Sequence, residues 1–437
     1  MCGIAGFSLF NFNEGGETSL EAMHKAIHHR GPDASGMYID EHIGLCHRRL
    51  SILDLSEAGN QPMYSKEGDL VIVFNGEIYN FLELRAELEN DGVIFKSHTD
   101  TEVILELYAR EGTKCLDKLN GMFAFALWDK NKQELFIARD RLGKKPLYYF
   151  NDNGRFAFGS EIKAILALEN IPREIRLDAV YDFFAYQYVP DPKSIFKHIH
   201  KLPPAHYLIL NKDGFSIHEY WDLSFKNTTS ASEDANKAQL KTLLEKVTKQ
   251  RMISDVPLGA FLSGGVDSSG VVAMMAQASE TPVKTCTIGF DDKAFNEADF
   301  AREIAEKYET EHHEFTVHQN VSDRLEHIVS FFDEPFADPS LVPTFFVSEL
   351  ARKAVTVALA GDGGDEMFAG YEKYSIDDVE NKLRNKFPEA VRKSVFPHLA
   401  KLAGKVPGTV GKKAKSLLTS LSHEPAMGFY ITNSMMT

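Results

Sequence analysis

Short apolar runs separated by polar turns dominate the first half of the chain. They lie at residues 70–74 (LVIVF), 122–128 (MFAFALW), 135–138 and 147–150. Runs of this length bounded by turn residues are typical of buried strands. The tetrapeptide NDNG at 151–154 predicts a hairpin turn before a further strand, whereas residues 101–110 carry apolar side chains at helical spacing. This pattern predicts layered sheets with helices packed outside them, an α+β arrangement.

The pattern changes near residue 225. Residues 226–237 (KNTTSASEDANK) are polar and nearly free of large apolar side chains, which is typical of a linker. Strand patterns then follow at 256–262, 283–290, 313–317 and 355–360, with helical patterns at 268–277, 298–308 and 341–353. This alternation predicts an α/β domain with a doubly wound parallel sheet. We therefore divide the chain into a domain at 1–212, a linker at 213–234 and a second domain at 235–437.

Composition narrows the functional classes. A chain of 437 residues has room for two domains, and its net charge of −15 argues against a general nucleic-acid binder. Its four cysteines show no metal-ligand spacing, so a reducing compartment is expected. No apolar run approaches the roughly 18 residues of a membrane span, and the first residues lack a basic signal-peptide region. We expect a cytoplasmic protein without nucleic-acid or membrane partners.

The N-terminus offers a candidate nucleophile. Cys2 follows Met1 directly, and removal of Met1 would leave a thiol beside a free α-amine. That amine titrates at roughly 7.7–8.0 and can act as the base for its own side chain. The alternative is an ordinary small apolar residue at the start of the chain. Asn75 and Gly76 follow a predicted strand and could donate hydrogen bonds to the oxyanion of an acyl-transfer reaction.

The second half contains two glycine-rich loops. Ser263–Ser269 (SGGVDSS) lies between a predicted strand and a predicted helix, where backbone N–H groups and hydroxyls can bind a phosphate. Asp267 could hold Mg²⁺ against that phosphate. This loop is not a Walker A sequence, and the alternative is a simple helix cap. Ala360–Glu366 (AGDGGDE) also follows a predicted strand, at the sheet edge where open α/β folds bind ligands.

Six N-terminal motifs occur in one order between residue 2 and about residue 210: MCGIAG, HRGPDASG, RRLSILDL, NGEIYN, SHTDTEVIL and RDRLGKKPLYY. Together they resemble the class II (Ntn-type) glutaminase domain of glutamine-hydrolysing asparagine synthetases. SGGVDSS resembles the PP-loop of ATP pyrophosphatases, which split ATP into AMP and pyrophosphate. The resemblance implies a four-layer αββα sandwich followed by a parallel sheet of the adenine-nucleotide α-hydrolase type.

The resemblance also implies residue roles. Cys2 would be the nucleophile, with Asn75 and Gly76 as the oxyanion hole. Glutamine would be held by Arg49, Ile52, Asn75, Gly76, Glu77 and Asp100, and Arg30 and Asp33 would organise this site. ATP would contact Leu262, Ser263, Gly264, Gly265, Asp267, Ser268, Ser269, Ile288, Ala360 and Gly361. Asp267 and Asp365 would bind Mg²⁺. Asp362 would take part in forming the intermediate, although the family more often has Glu there, and residues 333–344 would shape the acceptor site.

The implied reaction joins the two halves. ATP would adenylate L-aspartate, and ammonia released from L-glutamine would displace AMP to give L-asparagine. ATP and Mg²⁺ would be the cofactors, and a homodimer is possible. One alternative is a related amidotransferase acting on a sugar or another carboxylate. Another is a glutaminase or regulatory protein with an inactive synthetase half, because family members extend further at the C-terminus and carry a lysine there that contacts the adenylate.

Overall fold

The computed structural model describes residues 1–10, 16–226, 228–290, 297–317 and 321–433. Its strands are β1 (Gly3–Ser8), β2 (Ala34–Ile39), β3 (Ile43–Arg49), β4 (Met63–Tyr64), β5 (Leu70–Ile78), β6 (Gly121–Asp129), β7 (Glu134–Arg139), β8 (Tyr148–Asp152), β9 (Arg155–Gly159), β10 (Ile199–Lys201), β11 (His206–Asn211), β12 (Gly214–Glu219), β13 (Leu258–Phe261), β14 (Lys284–Phe290), β15 (Glu311–Val317) and β16 (Val357–Leu359).

The helices are α1 (Glu17–Ala26), α2 (Phe81–Asn90), α3 (Asp100–Glu111), α4 (Cys115–Lys118), α5 (Ile162–Leu166), α6 (Leu177–Tyr186), α7 (Glu233–Arg251), α8 (Val266–Ala278), α9 (Ala298–Lys307), α10 (Val321–Val329), α11 (Leu341–Ala351), α12 (Gly364–Phe368), α13 (Glu372–Arg384), α14 (Glu389–Ser394), α15 (Phe396–Ala403), α16 (Thr409–Ser422) and α17 (Pro425–Asn433). Among the described residues, no helix is both long and apolar enough to cross a membrane.

Two antiparallel sheets form the N-terminal half. One has the strand order β10-β8-β9-β1-β3-β2 and the other β12-β11-β7-β6-β5-β4. Side chains from both sheets, including Ile4, Val73 and Trp128, form the core between them. Strands between two buried layers need apolar side chains on both faces, which explains why β1 is buried along its whole length and why the 70–74 run does not alternate.

Helices cover the outer faces of both sheets. Residues of α1 and α5 pack with residues of β1 and β9 in one outer core, while α2 and α3 pack against β5 and β6 in another. The order of layers is helix, sheet, sheet, helix, and it confirms the predicted αββα sandwich.

The C-terminal half contains a parallel sheet with the order β15-β14-β13-β16. Residues of α8 and α9 pack with β13 in one core, and the end of α11 packs with β14 in a second core. This confirms the predicted doubly wound parallel sheet. The chain runs from β13 to β14 and β15 on one side and returns to β16 on the other, so the strand order reverses between β13 and β16. Ligands bind at such a point in open α/β sheets.

The segment predicted as a linker is shorter in the structure. β12 falls within residues 213–234 and pairs antiparallel with β11 along its whole length. Phe215 and Ile217 are partly buried against the inter-sheet core, whereas Ser216 and His218 are exposed, as expected of an edge strand. At the other end, the Ser232 hydroxyl accepts a hydrogen bond from Ala235 N and caps α7. The domain boundaries themselves remain a prediction.

Loops of the two halves contact one another directly. Asp255 N donates to Ile52 O at 3.0 Å, and Asp54 N donates to the Asp255 carboxylate at 2.7 Å. These contacts hold the start of β13 beside the loop that follows β3, so residues around β16 come close to the N-terminal sheets.

Candidate active sites

A cavity of about 300 Å³ opens beside Cys2 at the ends of the N-terminal sheets. Its lining comes from the start of β1, the end of β3, the middle of β5 and the start of α3. All seven residues predicted for the glutaminase line it: Cys2, Arg49, Ile52, Asn75, Gly76, Glu77 and Asp100. Thr356–Ala358, at the start of β16, close the cavity from the other half of the chain.

Cys2 is half-buried and held by two elements. Its Sγ lies 3.4 Å from Leu50 N and 3.6 Å from Leu50 O, and Arg30 Nε donates to Cys2 O at 2.9 Å. Burial raises the pKa of the thiol, so a neighbouring base is needed to form the thiolate. Burial, aided by the nearby charges of Arg30 and Lys145, lowers the pKa of the Met1 α-amine to about 6. Burial at this position therefore favours the neutral form of the Met1 α-amine.

Asn75 presents an unused amide to this cavity. It is only 1% exposed, yet neither its side-chain nitrogen nor its oxygen has a hydrogen-bond partner among the described residues. A buried amide without a partner is costly and rare in folded proteins, and it is expected where a ligand supplies the missing partner. Gly76 follows it, where a Cβ would lie 2.3 Å from Met122 O, so only glycine fits the close approach of β5 to β6.

Two carboxyl groups lie on the cavity wall. Burial, and then the charge of Asp100, raises the pKa of Glu77 to about 7. Burial raises the pKa of Asp100 to about 6, although its Oδ2 accepts a hydrogen bond from Ile78 N at 2.9 Å. Their burial and mutual repulsion favour binding of a cation such as an ammonium group, since it would offset both effects.

Arg49 lines the cavity but is engaged elsewhere. Its Nη1 donates to Ser56 O at 3.0 Å and to Asn60 Oδ1 at 2.8 Å. Its Nη2 donates to Leu53 O at 3.2 Å and Asp54 O at 2.5 Å. The guanidinium therefore holds the loop after β3 in place. Its contact with a substrate carboxylate remains a prediction.

The first glycine-rich loop joins β13 to α8. Ser263 and Ser268 face one another with their hydroxyl oxygens 2.9 Å apart, and the Ser269 hydroxyl has no partner among the described residues. Gly264 has φ +80°, and a Cβ there would lie 2.5 Å from the Cβ of Phe300. Glycine is thus required both by the backbone conformation and by the space. The loop leaves the N–H groups at the start of α8 as a binding site for an anion.

The second glycine-rich loop packs against the first. A Cβ on Gly361 would lie 2.7 Å from Ser268 N, and one on Gly364 would lie 2.3 Å from the Asp267 Cγ. Asp365 lies in the first turn of α12, while Asp362 is exposed between the two glycines. The loops after β13 and β16 therefore form one surface at the point where the strand order reverses.

The comparisons with known proteins divide the chain in two. A family model described as a glutamine amidotransferase domain matches residues 1–221, and one described as asparagine synthase matches residues 239–426. A putative glutamine-hydrolysing asparagine synthetase 2 of Methanocaldococcus jannaschii is 43% identical over 417 residues, covering 90% of this chain and 79% of that protein. The chain belongs to the glutamine-hydrolysing asparagine synthetase family.

Two Bacillus subtilis members of the asparagine synthetase family are also similar. Asparagine synthetase 1 is 37% identical over 425 residues, and asparagine synthetase 3 is 36% identical over 401 residues. The matches cover 96% and 87% of this chain, and 65% of the length of each relative. The chain thus spans less than two thirds of these two proteins.

The remaining predicted synthetase residues lie near the same loops. Leu262 follows β13 directly, and Ala360 and Gly361 follow β16. Ile288 lies in the second half of β14, the strand next to β13. Within the described ranges, no group of three or more His, Cys, Asp or Glu side chains is arranged to hold a metal. Asp267 and Asp365 supply the oxygen donors that Mg²⁺ prefers, and one or two carboxylates together with ATP phosphates are its usual ligands.

Sequence reasoning missed Lys145. This residue is only 3% exposed and lines the glutaminase cavity. Burial lowers the pKa of Lys145 to about 8, against the opposing charge of Glu77. The Asp140 carboxylate accepts hydrogen bonds from the backbone of Leu142, Lys144 and Lys145 and so turns the loop inward. The motif RDRLGKKPLYY was a signal for this loop, but it does not show which of its two lysines is buried.

Proposed function

We propose that this chain hydrolyses L-glutamine at Cys2 and uses the ammonia to convert L-aspartate into L-asparagine, with ATP split into AMP and pyrophosphate. One observation carries the proposal. The cavity beside Cys2 is lined by Asn75, whose side-chain amide has no partner among the described residues, and by Thr356–Ala358. The loop that follows Thr356–Ala358 packs against the Ser263–Ser269 loop. The proposed ammonia-releasing site and the proposed nucleotide site therefore both border β16.

In the glutaminase half, the α-amine of a chain that begins at Cys2 takes the thiol proton. The thiolate attacks the side-chain amide carbon of glutamine, and the Asn75 amide and Gly76 N–H donate to the resulting oxyanion. Return of the proton lets ammonia leave, and water then hydrolyses the glutamyl thioester to glutamate. Burial, which lowers the pKa of the neighbouring Met1 α-amine, would also favour the neutral, basic form of the Cys2 α-amine.

The other cavity residues bind the substrate's amino-acid end. Glu77 and Asp100 accept the α-ammonium, Ile52 contributes a loop contact, and Arg49 faces the α-carboxylate. Ammonium binding lowers the pKa of both carboxyls and keeps them ionised. Lys145 balances the charge of Glu77 within the same buried wall.

In the synthetase half, the Ser263–Ser269 loop and the start of α8 bind the ATP phosphates, with Leu262, Ile288, Ala360 and Gly361 around the rest of the nucleotide. Bound Mg²⁺ would neutralise phosphate charge, held by Asp267 and Asp365. The side-chain carboxylate of aspartate attacks the α-phosphorus and expels pyrophosphate, giving an acyl-adenylate, and Asp362 assists at this step. Ammonia then attacks the acyl carbon and displaces AMP, which is a good leaving group. Holding ammonia and the adenylate in one protein supplies an entropic advantage.

The Mg²⁺ requirement, a homodimer and a cytoplasmic location are also part of the proposal and rest on family resemblance. The acceptor is decided by experiment. Purified protein with ATP, MgCl₂ and L-glutamine is compared with and without L-aspartate, and pyrophosphate, glutamate and asparagine are measured together. We expect one asparagine for each aspartate-dependent pyrophosphate. Glutamate without aspartate-dependent pyrophosphate would refute the asparagine assignment and favour another carboxylate acceptor or an inactive synthetase half.

Two variants separate the half-reactions. Cys2→Ala is expected to abolish glutamate formation while asparagine still forms from added ammonium chloride. Asp267→Asn is expected to abolish aspartate-dependent pyrophosphate while glutamate formation continues. Loss of both activities in either variant would contradict the division of roles between the halves.

A further inference from the structure

Two adjacent acidic residues of the C-terminal half insert against the N-terminal half. Asp333 and Glu334 begin the 333–344 segment, and each meets a different lysine. Asp333 Oδ1 lies 3.4 Å from Lys163 Nζ, and Asp333 Oδ2 accepts a hydrogen bond from Lys163 N at 2.8 Å. Glu334 Oε1 lies 2.5 Å from Lys201 Nζ. The side chains of both acids are only 14% exposed, so these ion pairs are largely shielded from water.

The first of these ion pairs continues to the nucleophile. Lys163 Nζ lies 3.4 Å from Glu161 Oε2, and Arg30 Nη1 donates to Glu161 Oε1 at 2.7 Å. Arg30 Nε then donates to Cys2 O at 2.9 Å. Burial acts to raise the pKa of Glu161, but hydrogen bonds from His29 and Arg30 outweigh it and lower the pKa to about 2. The Glu161 carboxylate in this series of contacts is therefore ionised at neutral pH.

The second ion pair ends elsewhere. Lys201 also donates to Val189 O, and Glu334 accepts a hydrogen bond from Ile195 N. These partners lie in the segment between α6 and β10 and not in the Arg30–Cys2 contact. Two ion pairs formed by neighbouring acids thus cross the interface between the two halves. The Asp333 pair is connected to Cys2, and the Glu334 pair is not.

We infer that Asp333, Lys163, Glu161 and Arg30 form a relay that couples occupancy of the acceptor site to the position of Cys2. Glu161 and Lys163 are positioning residues in this relay, and neither lines the cavity beside Cys2. The inference rests on the proposed function, since it assigns residues 333–344 to the acceptor site.

Packing makes the relay responsive to movement of Asp333. Glu161 is the N-cap residue of α5 and Lys163 lies in its first turn. Asp333 contacts both the backbone N–H and the side chain of Lys163. A shift of Asp333 on acceptor binding changes the position of that turn and of the Glu161 carboxylate. Arg30, whose side chain is only 11% exposed, must follow its partner or lose an ion pair, and the backbone of Cys2 is attached to it.

The first test measures kcat/KM for glutamine in the full chain, with and without ATP, MgCl₂ and L-aspartate. Acceptor substrates are expected to raise kcat/KM about fivefold in the wild type, at the lower end of typical couplings between sites. Lys163→Met should bring this ratio to about one, and Lys163→Arg should restore it. Lys201→Met is the matched control and should keep the wild-type ratio. Equal loss in both methionine variants, or a wild-type ratio of one while asparagine is formed, would overturn the inference.

The second test needs no synthetase activity. Iodoacetamide is added to the protein alone, and alkylation of Cys2 is followed by mass spectrometry, with the buried Cys46, Cys115 and Cys286 as internal references. Lys163→Met is expected to change the alkylation rate about fivefold and Lys201→Met to leave it unchanged, since one partly buried ion pair contributes on that scale. Alkylation of Lys163→Met at the wild-type rate would overturn the inference. Absence of asparagine from wild-type mixtures would instead overturn the proposed function.

Discussion

Replacement of Asn75 by alanine separates a catalytic from a structural role for this residue. Its side-chain amide is buried without a partner among the described residues, which costs the folded protein about 1–3 kcal/mol. Removing the amide should recover part of that cost. The packing lost is small because the side chain borders an existing cavity. We therefore expect the free energy of unfolding of Asn75→Ala to stay unchanged or to rise by up to about 2 kcal/mol.

Activity should move the opposite way. Loss of one oxyanion donor typically lowers kcat about 10²–10³-fold, and KM for glutamine should change little because the amide acts on the developing charge. The assay is glutamate formation over a range of glutamine concentrations, paired with urea unfolding of the same preparations. A stable protein with a low kcat is the expected result.

Asn80 is the matched control. It belongs to the same NGEIYN motif, but its Nδ2 donates to Lys118 O at 3.0 Å and its Oδ1 accepts from Asn120 N at 3.0 Å. Asn80→Ala should therefore lose about 1 kcal/mol of stability and keep its kcat. If Asn75→Ala behaved like Asn80→Ala, with lower stability and normal kcat, the assignment of Asn75 to the oxyanion hole would be wrong.

Three further changes have defined outcomes. KM for glutamine should fall as pH rises from 5 to 8, because Asp100 becomes ionised near pH 6 and Glu77 near pH 7. Glu77→Gln should remove the fall in KM near pH 7. If KM of Glu77→Gln depended on pH as in the wild type, the role of Glu77 would be contradicted. The pKa of Glu77 is about 7 in the folded protein and about 4.3 in the unfolded chain. The stability that protonated Glu77 contributes is therefore fully present below about pH 4.3 and is lost as pH rises through about 7. The free energy of unfolding of Glu77→Gln, measured by urea titration, should exceed that of the wild type at pH 8 but not at pH 4. Gly264→Ala should abolish ATP-dependent pyrophosphate release while glutamate formation continues, because its Cβ would meet Phe300 at 2.5 Å; pyrophosphate release at the wild-type rate would refute this.

The sequence predicted the sheets of both halves because their strands are buried in ways that leave simple patterns. The 70–74 run is apolar throughout since it lies between two packed layers, and the parallel strands β13 to β16 alternate with helices along the chain. β12 was missed because it is a short edge strand whose sequence GFSIHE has polar or small residues at alternate positions.

The site was harder to predict because its geometry depends on contacts distant in sequence. The seven residues predicted for the glutaminase come from motifs within one half of the chain, and they line one cavity in the structure. Arg49 is bound by backbone carbonyls of one loop, and Lys145 is buried by the folding of another. The identities of these two side chains alone do not predict either arrangement. The wall formed by Thr356–Ala358 comes from more than 350 positions after Cys2, and no local pattern indicates it.

The position of β16 between the two halves matters when members of this family are recombined. Thr356–Ala358 border the cavity of Cys2, and Ala360 and Gly361 follow within three residues, beside the Ser263–Ser269 loop. Four extended residues span only about 13 Å. A chimera joined within the polar segment that precedes α7 would therefore place β16 of one parent against the glutaminase cavity of the other. Exchange of the glutaminase as an independent unit requires that residues 356–358 be exchanged with it, because the functional boundary between the halves does not coincide with the boundary along the chain.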